Sequence, residues 1–447
     1  MKITLFWPQL MANPETPPLN IAQLGSVLKE SGYDVSYNVG NVKTTDCGIS
    51  QAKRILKKHV IKLEKSNSDI LSVSMWFFNL PYALELIELY KSRNPEVKII
   101  AGGYPPTIFP DEILRISSGV DYLVRGEGEA TLLELVSALN KNKPVENING
   151  ISFRDNKNRP VNTRTRLLPD NLDRLPFPDY SDLLGNNQYE SISLQTMRGC
   201  VYNCPFCTSE QMYGHLRTKS VGYVYKEIKH YIQEFNIDNF LIVDNIFTFD
   251  NSRTKKFCKL LGDNGLNIKW RCYSHLDTIT PEIAKVMGKS GCSRIFYGVE
   301  STNPRTMQNL KKTAKPEEYV TKILKIVVET LEHTDVRVSG IVGFPWETID
   351  EMTNTLNFMR MLQKLGSELH LGALVILPGS QLWQDYLDKK IELVKISTDN
   401  SLVYHNLFFE KYEHLPWCVP TKWLPKNAYV EADELEKFLC ENHVYVG

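Results

Sequence analysis

Three cysteines stand close together in one loop, Cys200, Cys204 and Cys207, within the run M-R-G-C-V-Y-N-C-P-F-C-T-S. Thiolates held this closely are soft ligands, which favour iron–sulfur clusters or zinc. A structural zinc site is normally closed by four protein ligands, whereas this loop offers three and no C-x2-C pair follows it. The spacing therefore predicts a four-iron, four-sulfur (4Fe-4S) cluster whose fourth iron is open to another molecule.

Two other interpretations of these cysteines stay open. Zinc could be completed by His215 or by a distant cysteine, and a disulfide could join two of the three thiols. The remaining six cysteines form no regular framework, as is typical of a reducing compartment. They are Cys47, Cys258, Cys272, Cys292, Cys418 and Cys440.

The charge balance excludes some kinds of partner. The 447 residues include 52 basic and 52 acidic side chains, so no overall field attracts nucleic acid or an anionic membrane. Residues 1–7 are too short an apolar run for an export signal, and no apolar stretch approaches the length of a membrane span. We therefore expect a cytoplasmic protein of two or three domains with no nucleic-acid or membrane partner.

Short apolar runs alternate with helical patterns over the first 140 residues. This alternation predicts an α/β fold, a parallel sheet covered on both faces, in a doubly wound domain of flavodoxin or Rossmann type over residues 1–140. Its ligand is expected beyond the carboxyl ends of the strands. The predicted strands are 2–7, 35–37, 70–75, 97–101 and 122–124, and the predicted helices are 19–29, 51–63, 80–90, 111–116 and 130–139.

Two loops that contain glycine follow the fourth and fifth of these strands. They read A-G-G-Y-P-P-T at 101–107 and V-R-G-E-G-E-A at 124–130, and glycine lets a backbone approach a ligand closely. The G-x-G of Gly126 and Gly128 is similar to a dinucleotide fingerprint, but that signature follows a first strand and needs a third glycine. We therefore expect a ligand site here that is not an NAD site.

The rest of the chain divides into three parts. Residues 141–190 are predicted to be a linker, with a hairpin at 150–162 and a proline-stiffened stretch at 175–180. Residues 191–385 contain six βα units, which predict a full or partial TIM-type barrel, (β/α)6, with its chemistry at the carboxyl ends of the strands. The cysteine loop follows the first of these strands and so falls at that end. Residues 386–447 are rich in aromatic side chains and are predicted to be a C-terminal cap over the barrel mouth, with ordinary core packing as the alternative.

The barrel predictions are specific enough to be compared with a structure. The strands are 191–196, 239–244, 269–274, 293–299, 335–342 and 369–377, and the helices are 222–234, 252–262, 281–289, 316–331 and 349–365.

The cysteine loop resembles the C-x3-C-x-aromatic-C signature of the radical S-adenosylmethionine (SAM) superfamily, with Phe206 as the aromatic residue. Further motifs of that superfamily occur in order: H-L-R-T-K-S, V-D-N-I-F-T, Y-G-V-E-S, G-I-V-G-F-P-W-E-T and I-L-P-G-S. The N-terminal domain resembles the cobalamin-binding module that precedes the barrel in one branch, through P-P-L-N-I-A-Q-L at 17–24 and the two glycine loops. The chain departs from mutase-type cobalamin domains, because it has no D-x-H triplet to place a histidine below cobalt.

The resemblance implies roles for individual residues. The three cysteines would hold the cluster. The SAM contacts would come from Phe206, Arg217 (carboxylate), Asp244 and Asn245 (amine), Glu300 and Ser301 (ribose), and Ile341 and Gly343 (adenine). The cobalamin contacts would come from Asn20, Ser74, Gly102, Gly103, Gly126, Glu127 and Gly128. Tyr273, Ser274 and His275 would face the substrate, and a polar network is the alternative role for each. An ordinary ion pair is the alternative for Arg217 and Glu300.

The resemblance implies a cobalamin-dependent radical SAM methyltransferase. A 5′-deoxyadenosyl radical would take a hydrogen atom from a small-molecule or peptide substrate of natural-product type, and methylcobalamin would give its methyl group to an unactivated carbon or to phosphorus. Cyclisation, rearrangement or oxidation with the same cofactors is the alternative, and a non-catalytic iron–sulfur or zinc scaffold is a third hypothesis. The chemistry also implies an external reductant such as flavodoxin or ferredoxin.

Overall fold

The computed structural model describes residues 1–9, 15–41, 49–185, 189–313, 315–330, 335–395, 423–427, 429–442 and 444–446. Two seven-stranded sheets dominate these residues, one in the N-terminal third of the chain and one after residue 190. The predicted α/β fold class is confirmed, because parallel strands alternate with helices in both parts.

The N-terminal sheet has the strand order β2-β1-β3-β4-β5-β6-β7. The first five strands pair in parallel, and β3 is an apolar run whose residues are almost all buried, as a strand covered by helices on both faces requires. Its strands are β1 (Lys2–Gln9), β2 (Asp34–Asn41), β3 (Ile70–Met75), β4 (Lys98–Gly103), β5 (Tyr122–Val124), β6 (Ile151–Arg154) and β7 (Pro160–Asn162). Its helices are α1 (Leu19–Glu30), α2 (Ile49–Glu64), α3 (Leu80–Arg93), α4 (Tyr104–Ile108), α5 (Pro110–Ile116) and α6 (Gly128–Asn140).

The predicted hairpin at 150–162 forms, and its two strands extend the N-terminal sheet. Strand β6 pairs antiparallel with β5, and β7 pairs antiparallel with β6. Ile151 is fully buried, and the Arg154 guanidinium donates to the carbonyls of Leu114 and Ser117 at 2.8 and 3.1 Å. The hairpin therefore covers what would otherwise be an open edge of β5. A short helix, α7 (Ser181–Leu184), follows before the second sheet.

The second sheet is an open barrel with the strand order β8-β11-β12-β13-β14-β15-β18, all parallel. The first six strands follow one another in chain order, as predicted for a partial barrel, and a short strand from the C-terminal region adds the seventh. The seven strands are β8 (Ile192–Leu194), β11 (Asn239–Ile242), β12 (Lys269–Ser274), β13 (Cys292–Glu300), β14 (Asp335–Val342), β15 (Glu368–Ala373) and β18 (Tyr445–Val446). Two separate antiparallel ribbons are formed by β9 (Met197–Arg198) with β10 (Arg217–Thr218), and by β16 (Leu393–Lys395) with β17 (Trp423–Pro425).

The barrel helices begin where side chains cap them. Ser220, Asp250 and Thr280 each accept a hydrogen bond from a backbone N–H in the first turn, and Thr348 and Glu351 form a reciprocal capping box. The helices are α8 (Ser209–Tyr213), α9 (Val221–Phe235), α10 (Asn251–Asp263), α11 (Pro281–Lys289), α12 (Pro304–Asn309), α13 (Glu317–Thr330), α14 (Ile349–Lys364), α15 (Gln381–Leu387) and α16 (Ala432–Glu441).

Much of the predicted cap, residues 396–422, lies outside the described residues. Of the rest, β16 and β17 pair antiparallel, and α16 precedes the strand that joins β15. Trp383 on α15 is buried and packs edge-on against Phe109 of the N-terminal domain, with ring centroids 6.2 Å apart. No helix within the described ranges has the length and apolar character that crossing a membrane requires.

Candidate functional site

The cysteine loop follows β8 and β9 at the carboxyl end of β8, and it lies in the connection between β9 and β10, which pair as a two-stranded antiparallel ribbon. The backbone N–H of Cys207 donates to the Cys204 carbonyl at 3.0 Å, which closes a tight turn. The N–H of Tyr202 points to the Cys200 sulfur at 3.4 Å, and that of Ser209 to the Cys207 sulfur at 3.5 Å. Hydrogen bonds of this kind favour thiolate and tune the potential of a bound cluster.

Burial affects the thiols unequally. It raises the pKa of Cys200, and it raises the pKa of Cys204 to about 11, while the nearby Lys312 ammonium acts in the opposite direction on both. Cluster ligands must be thiolates, so cluster binding has to displace protons from these thiols. Within the described ranges no three His, Cys, Asp or Glu side chains converge on a point that would hold one metal ion. A cluster takes one iron per thiolate, so its ligands need not converge.

Asp244, predicted to meet the SAM amine, holds the chain just before the cysteine loop. It is 1% exposed, and its carboxylate accepts the backbone N–H groups of Thr196 at 2.6 Å and Met197 at 3.0 Å, together with the Thr196 hydroxyl. Burial raises the pKa of Asp244 to about 6. In this structure the carboxylate therefore fixes the turn between β8 and β9.

Asn245 joins the two ends of the cysteine loop. Its side-chain amide donates to the Gly199 carbonyl at 2.9 Å and to the Ser209 hydroxyl at 2.7 Å. A third support comes from the start of α15, where the Leu382 N–H donates to the Pro205 carbonyl at 2.9 Å. The loop is thus fixed at its beginning, middle and end, as a preorganised ligand set needs to be.

Glu300 ends β13 in a conformation that an ordinary residue rarely adopts. Its φ is +67°, and a Cβ at Gly298 would lie 2.4 Å from its carboxylate, so both the backbone and a neighbouring glycine are shaped around this side chain. The carboxylate accepts the Lys312 ammonium at 2.9 Å, and both side chains are largely buried. Lys312 also lies 6.0 Å from the ring centroid of Phe206 in the cysteine loop.

Lys312 is a candidate site residue that the sequence interpretation missed. It has no motif of its own beyond a charged pair of lysines after α12, and only the fold brings it to the end of β13. Ser301, the residue directly after β13, shares a hydrogen bond of 3.1 Å with the Thr355 hydroxyl and is buried with it.

The backbone at Ile341 and Gly343 is held by a second missed residue, Glu347. Its carboxylate is fully buried and accepts the N–H groups of Gly343 at 3.0 Å and Phe344 at 3.1 Å. Thr306 donates to its other oxygen at 3.1 Å, and burial raises the pKa of Glu347 to about 7. The positive φ of Gly343, +85°, lets this loop turn at the end of β14.

The three residues predicted to face the substrate occupy different environments. Tyr273 is 39% exposed on the inner face of the barrel, whereas the Ser274 hydroxyl lies in a buried hydroxyl network with Thr248 and Thr278. His275 is buried, and its ring lies 4.8 Å from that of Tyr202. Its Nδ1 accepts the Asp277 N–H, and its Nε2 has no hydrogen-bond partner among the described residues.

The predicted cobalamin contacts lie at the carboxyl edge of the N-terminal sheet. The Asn20 amide donates to the Ser74 hydroxyl at 2.7 Å. Gly103 has φ +112°, and a Cβ there would lie 2.0 Å from the Met75 carbonyl oxygen, so only glycine fits. Gly126, with φ +71°, would place a Cβ in open space.

The two glycine loops are joined to each other by Thr107. Its hydroxyl accepts the Gly126 N–H at 2.9 Å and donates to the Gly103 carbonyl at 2.7 Å. Gly102 packs beside the Val124 carbonyl, and Gly128 packs close to Leu24 of α1.

Glu127 and Arg217 pair with each other. The Arg217 guanidinium contacts the Glu127 carboxylate through two nitrogens and also donates to the carbonyls of Pro169 at 3.0 Å and Tyr213 at 2.8 Å. Side-chain exposure is 3% for Arg217 and 6% for Glu127. In this structure the Glu127–Arg217 ion pair forms a buried contact between the second glycine loop and strand β10, as in the ion-pair alternative for Arg217.

Comparison with known families agrees with this geometry. Residues 11–136 match the B12 binding domain, and residues 194–359 match the radical SAM superfamily. The chain is 30% identical over 376 residues to an uncharacterized methyltransferase of Pyrococcus horikoshii, covering 82% of this chain and 78% of that protein. The chain therefore belongs to the radical SAM enzymes that carry an N-terminal B12-binding domain.

Two further comparisons broaden the picture. An anaerobic magnesium-protoporphyrin IX monomethyl ester cyclase of Synechocystis is 24% identical over 309 residues, covering 67% of this chain and 60% of that protein. The structure of the cobalamin-dependent radical SAM enzyme OxsB, with aqua-cobalamin and SAM bound, has a TM-score of 0.73 at 20% identity and covers 99% of this chain and 67% of that one. At this identity the likeness to OxsB establishes the fold.

The predicted cofactors are those of this family: a 4Fe-4S cluster, SAM and cobalamin. The residues present fit them. Three thiols on one supported loop are a donor set for a cluster with an open iron, and the open space beside Gly126 leaves room for a ligand against backbone.

Proposed function

We propose that this cobalamin-dependent radical SAM enzyme is a methyltransferase that acts on an unactivated carbon, or on phosphorus, of a small-molecule or peptide substrate. The observation that supports the proposal most is the placement of the two cofactor regions. The second glycine loop of the N-terminal sheet contacts the segment just ahead of the cysteine loop, where Arg198, two residues before Cys200, donates to Glu127 at 2.8 Å. A methyl donor, a radical source and a substrate can react together only if they share one enclosed site.

The cofactors supply radical generation at the cluster and a transferable methyl group, and this chain's residues bind and orient them. Cys200, Cys204 and Cys207 ligate the cluster. The carboxylate of Glu300 binds the ribose hydroxyls of SAM, and the backbone at Ile341 and Gly343 lines its adenine. Lys312 pairs with Glu300 and lies 6.0 Å from the Phe206 ring in the cysteine loop, so it is our candidate for binding the SAM carboxylate, whereas Arg217 is held by Glu127 in the contact with the N-terminal domain.

The substrate is proposed to lie against the inner face of the barrel. Three rings from β12, β13 and β15 form a row there: Tyr273 and Phe296 have centroids 5.6 Å apart, and Phe296 and His370 have centroids 5.2 Å apart. Nearer the start of β13, Arg294 pairs with Glu15 at 2.9 Å, so the N-terminal part of the chain contacts the barrel there. The row of rings offers flat apolar surface with one imidazole as a hydrogen-bonding group.

The similarity to a cyclase supports a second candidate function, radical cyclisation or oxidation without methyl transfer. The two candidates differ in how they use SAM. Methyl transfer consumes SAM in two ways, to S-adenosylhomocysteine and to 5′-deoxyadenosine, whereas cyclisation needs only the second product.

The test needs no substrate. The enzyme, reconstituted anaerobically with iron, sulfide and cobalamin and supplied with reduced flavodoxin or ferredoxin, is incubated with SAM. With no methyl acceptor present, a methyltransferase forms up to about one S-adenosylhomocysteine per bound cobalt, and enzyme without cobalamin or without reductant forms none. Production of 5′-deoxyadenosine with no S-adenosylhomocysteine in the complete reaction would favour the cyclase-like function.

A further inference from the structure

The segment just ahead of the cysteine loop is bound by the N-terminal domain. Arg198 stands two residues before Cys200 and spreads its guanidinium over three acceptors. Its Nη1 donates to Glu127 at 2.8 Å, its Nη2 to Glu129 at 2.6 Å, and its Nε to Gln195 at 2.8 Å. Glu127 also receives Arg217, so two carboxylates from one glycine loop face two guanidiniums from the ribbon of β9 and β10.

The four charges of this network balance and are shielded from solvent. Side-chain exposure is 6% for Arg198, 6% for Glu127 and 12% for Glu129. Buried ion pairs of this kind contribute more to a fixed geometry than to net stability, because desolvation offsets much of their attraction. Loss of one member leaves the others without compensation, so the network holds its two segments in one arrangement.

The segment after the cysteine loop is bound by the other glycine loop. Tyr104 directly follows Gly103 at the start of α4, and α4 packs against α8, the short helix that begins two residues after Cys207. The Tyr104 ring also stacks on Trp76 at the end of β3, with ring centroids 6.3 Å apart. The two glycine loops of the cobalamin domain therefore reach the two flanks of the cysteine loop.

We propose that Glu127, Glu129 and Arg198 are positioning residues that couple the two cofactor sites, so that cobalamin and the iron–sulfur cluster each strengthen the binding of the other. The proposal rests on the proposed placement of cobalamin at the glycine loops. Thr107 ties those loops together, so a ligand that orders them also orders Arg198 and the cysteines beyond it. Coupling between two binding sites is reciprocal by thermodynamic necessity.

The test measures hydroxocobalamin affinity by anaerobic equilibrium dialysis, on the full chain before and after cluster reconstitution. The wild-type protein is expected to bind cobalamin at least about fivefold more tightly when the cluster is present. In the reciprocal experiment, bound cobalamin is expected to slow the loss of iron to a chelator. If the network of Glu127, Glu129 and Arg198 had only a structural role, it would affect the stability of the protein. The cluster would then leave the cobalamin affinity unchanged, and cobalamin would leave the rate of iron loss unchanged.

Glu129→Gln is the decisive variant, because Glu129 contributes a single ion pair to Arg198 at the outer side of the network. This variant is expected to bind cobalamin in the absence of the cluster, and the cluster in the absence of cobalamin. The ratio of its cobalamin affinities with and without the cluster should fall towards one. Glu134→Gln is the matched control: it makes the same substitution on the same helix but removes only a surface pair with Arg166, so its ratio should stay at the wild-type value.

Two results would overturn the coupling. A wild-type ratio of one, with both cofactors bound, shows that the sites are independent even though the cofactor assignment holds. A full wild-type ratio in Glu129→Gln shows that the coupling does not pass through this network. A wild-type protein that binds no cobalamin would end the proposed function and the coupling together.

Discussion

Asp244 offers a direct way to test how the cysteine loop is supported. In Asp244→Ala, the buried N–H groups of Thr196 and Met197 lose the acceptors that now lie at 2.6 and 3.0 Å. Asp244→Asn keeps one oxygen for these two donors and is neutral like alanine. Each unsatisfied buried donor costs about 1–3 kcal/mol, so the alanine variant should be less stable than the asparagine variant by roughly 2–6 kcal/mol.

The assay is urea unfolding of the cluster-free protein, followed by iron content after reconstitution. Comparing alanine with asparagine, rather than either with wild type, removes the common effect of losing the charge. We expect the alanine variant also to retain much less iron, since the turn it loosens leads into Cys200. A difference in unfolding free energy below about 1 kcal/mol, within the usual range for a surface change, would refute the supporting role.

The carboxylate of Asp244 also predicts a pH dependence. Burial raises its pKa to about 6 from an ordinary 3.8, so the folded protein holds a proton that the unfolded chain releases. The resulting stabilisation is present at low pH and is lost as pH rises through about 6. Between pH 5 and 7 wild type should lose about 1 kcal/mol relative to Asp244→Asn, which has no proton to release. A constant difference across that range would contradict the buried-carboxylate explanation.

Three further variants test other parts of the site. Lys312→Met should lower the free energy of unfolding by about 3–5 kcal/mol, because it leaves Glu300 buried without its partner. The double variant Glu300→Gln/Lys312→Met should recover most of this loss. Urea titration measures both variants, and equal losses would contradict the pairing. Asn245→Ala should leave the fold intact while a chelator removes iron several times faster, and an unchanged rate would argue against its role. Gly103→Ala should weaken cobalamin binding far more than Gly126→Ala, since only the methyl group added at position 103 collides with the Met75 carbonyl and displaces the loop. Similar dissociation constants for the two variants would show that cobalamin binding does not depend on the conformation of this loop.

Most strands and helices could be predicted because each depends mainly on the pattern of apolar residues within its own segment. The strands 70–75, 122–124, 269–274 and 335–342 were predicted at the bounds the structure has, since each is an apolar or alternating run with clear ends. Other ends differ by a few residues, as with β13, which continues to Glu300 in a left-handed conformation that no propensity indicates. Spacing also placed the cysteine loop after the first barrel strand.

Long-range pairing could not be predicted in the same way. Glu127 and Arg217 are 90 positions apart, and their ion pair follows from how two domains pack, which neither segment encodes alone. Lys312 has no distinctive spacing, and it becomes a candidate only when the fold brings it to Glu300. Glu347 stands within the G-I-V-G-F-P-W-E-T motif, but only the fold shows that it is buried under the Gly343 turn. The predicted hairpin adds two strands to the N-terminal sheet, because β6 pairs with the edge of β5.

The central claim is that one chain brings a cluster with an open iron and a cobalamin into a common site. Anaerobic reconstitution followed by measurement of iron, sulfide and cobalt per chain tests it most directly. The account predicts about four irons and one tightly held cobalt, with the iron lost when Cys200, Cys204 and Cys207 are changed to alanine. Four irons without cobalt would contradict the methyl-transfer proposal, and zinc in place of iron would contradict the whole account.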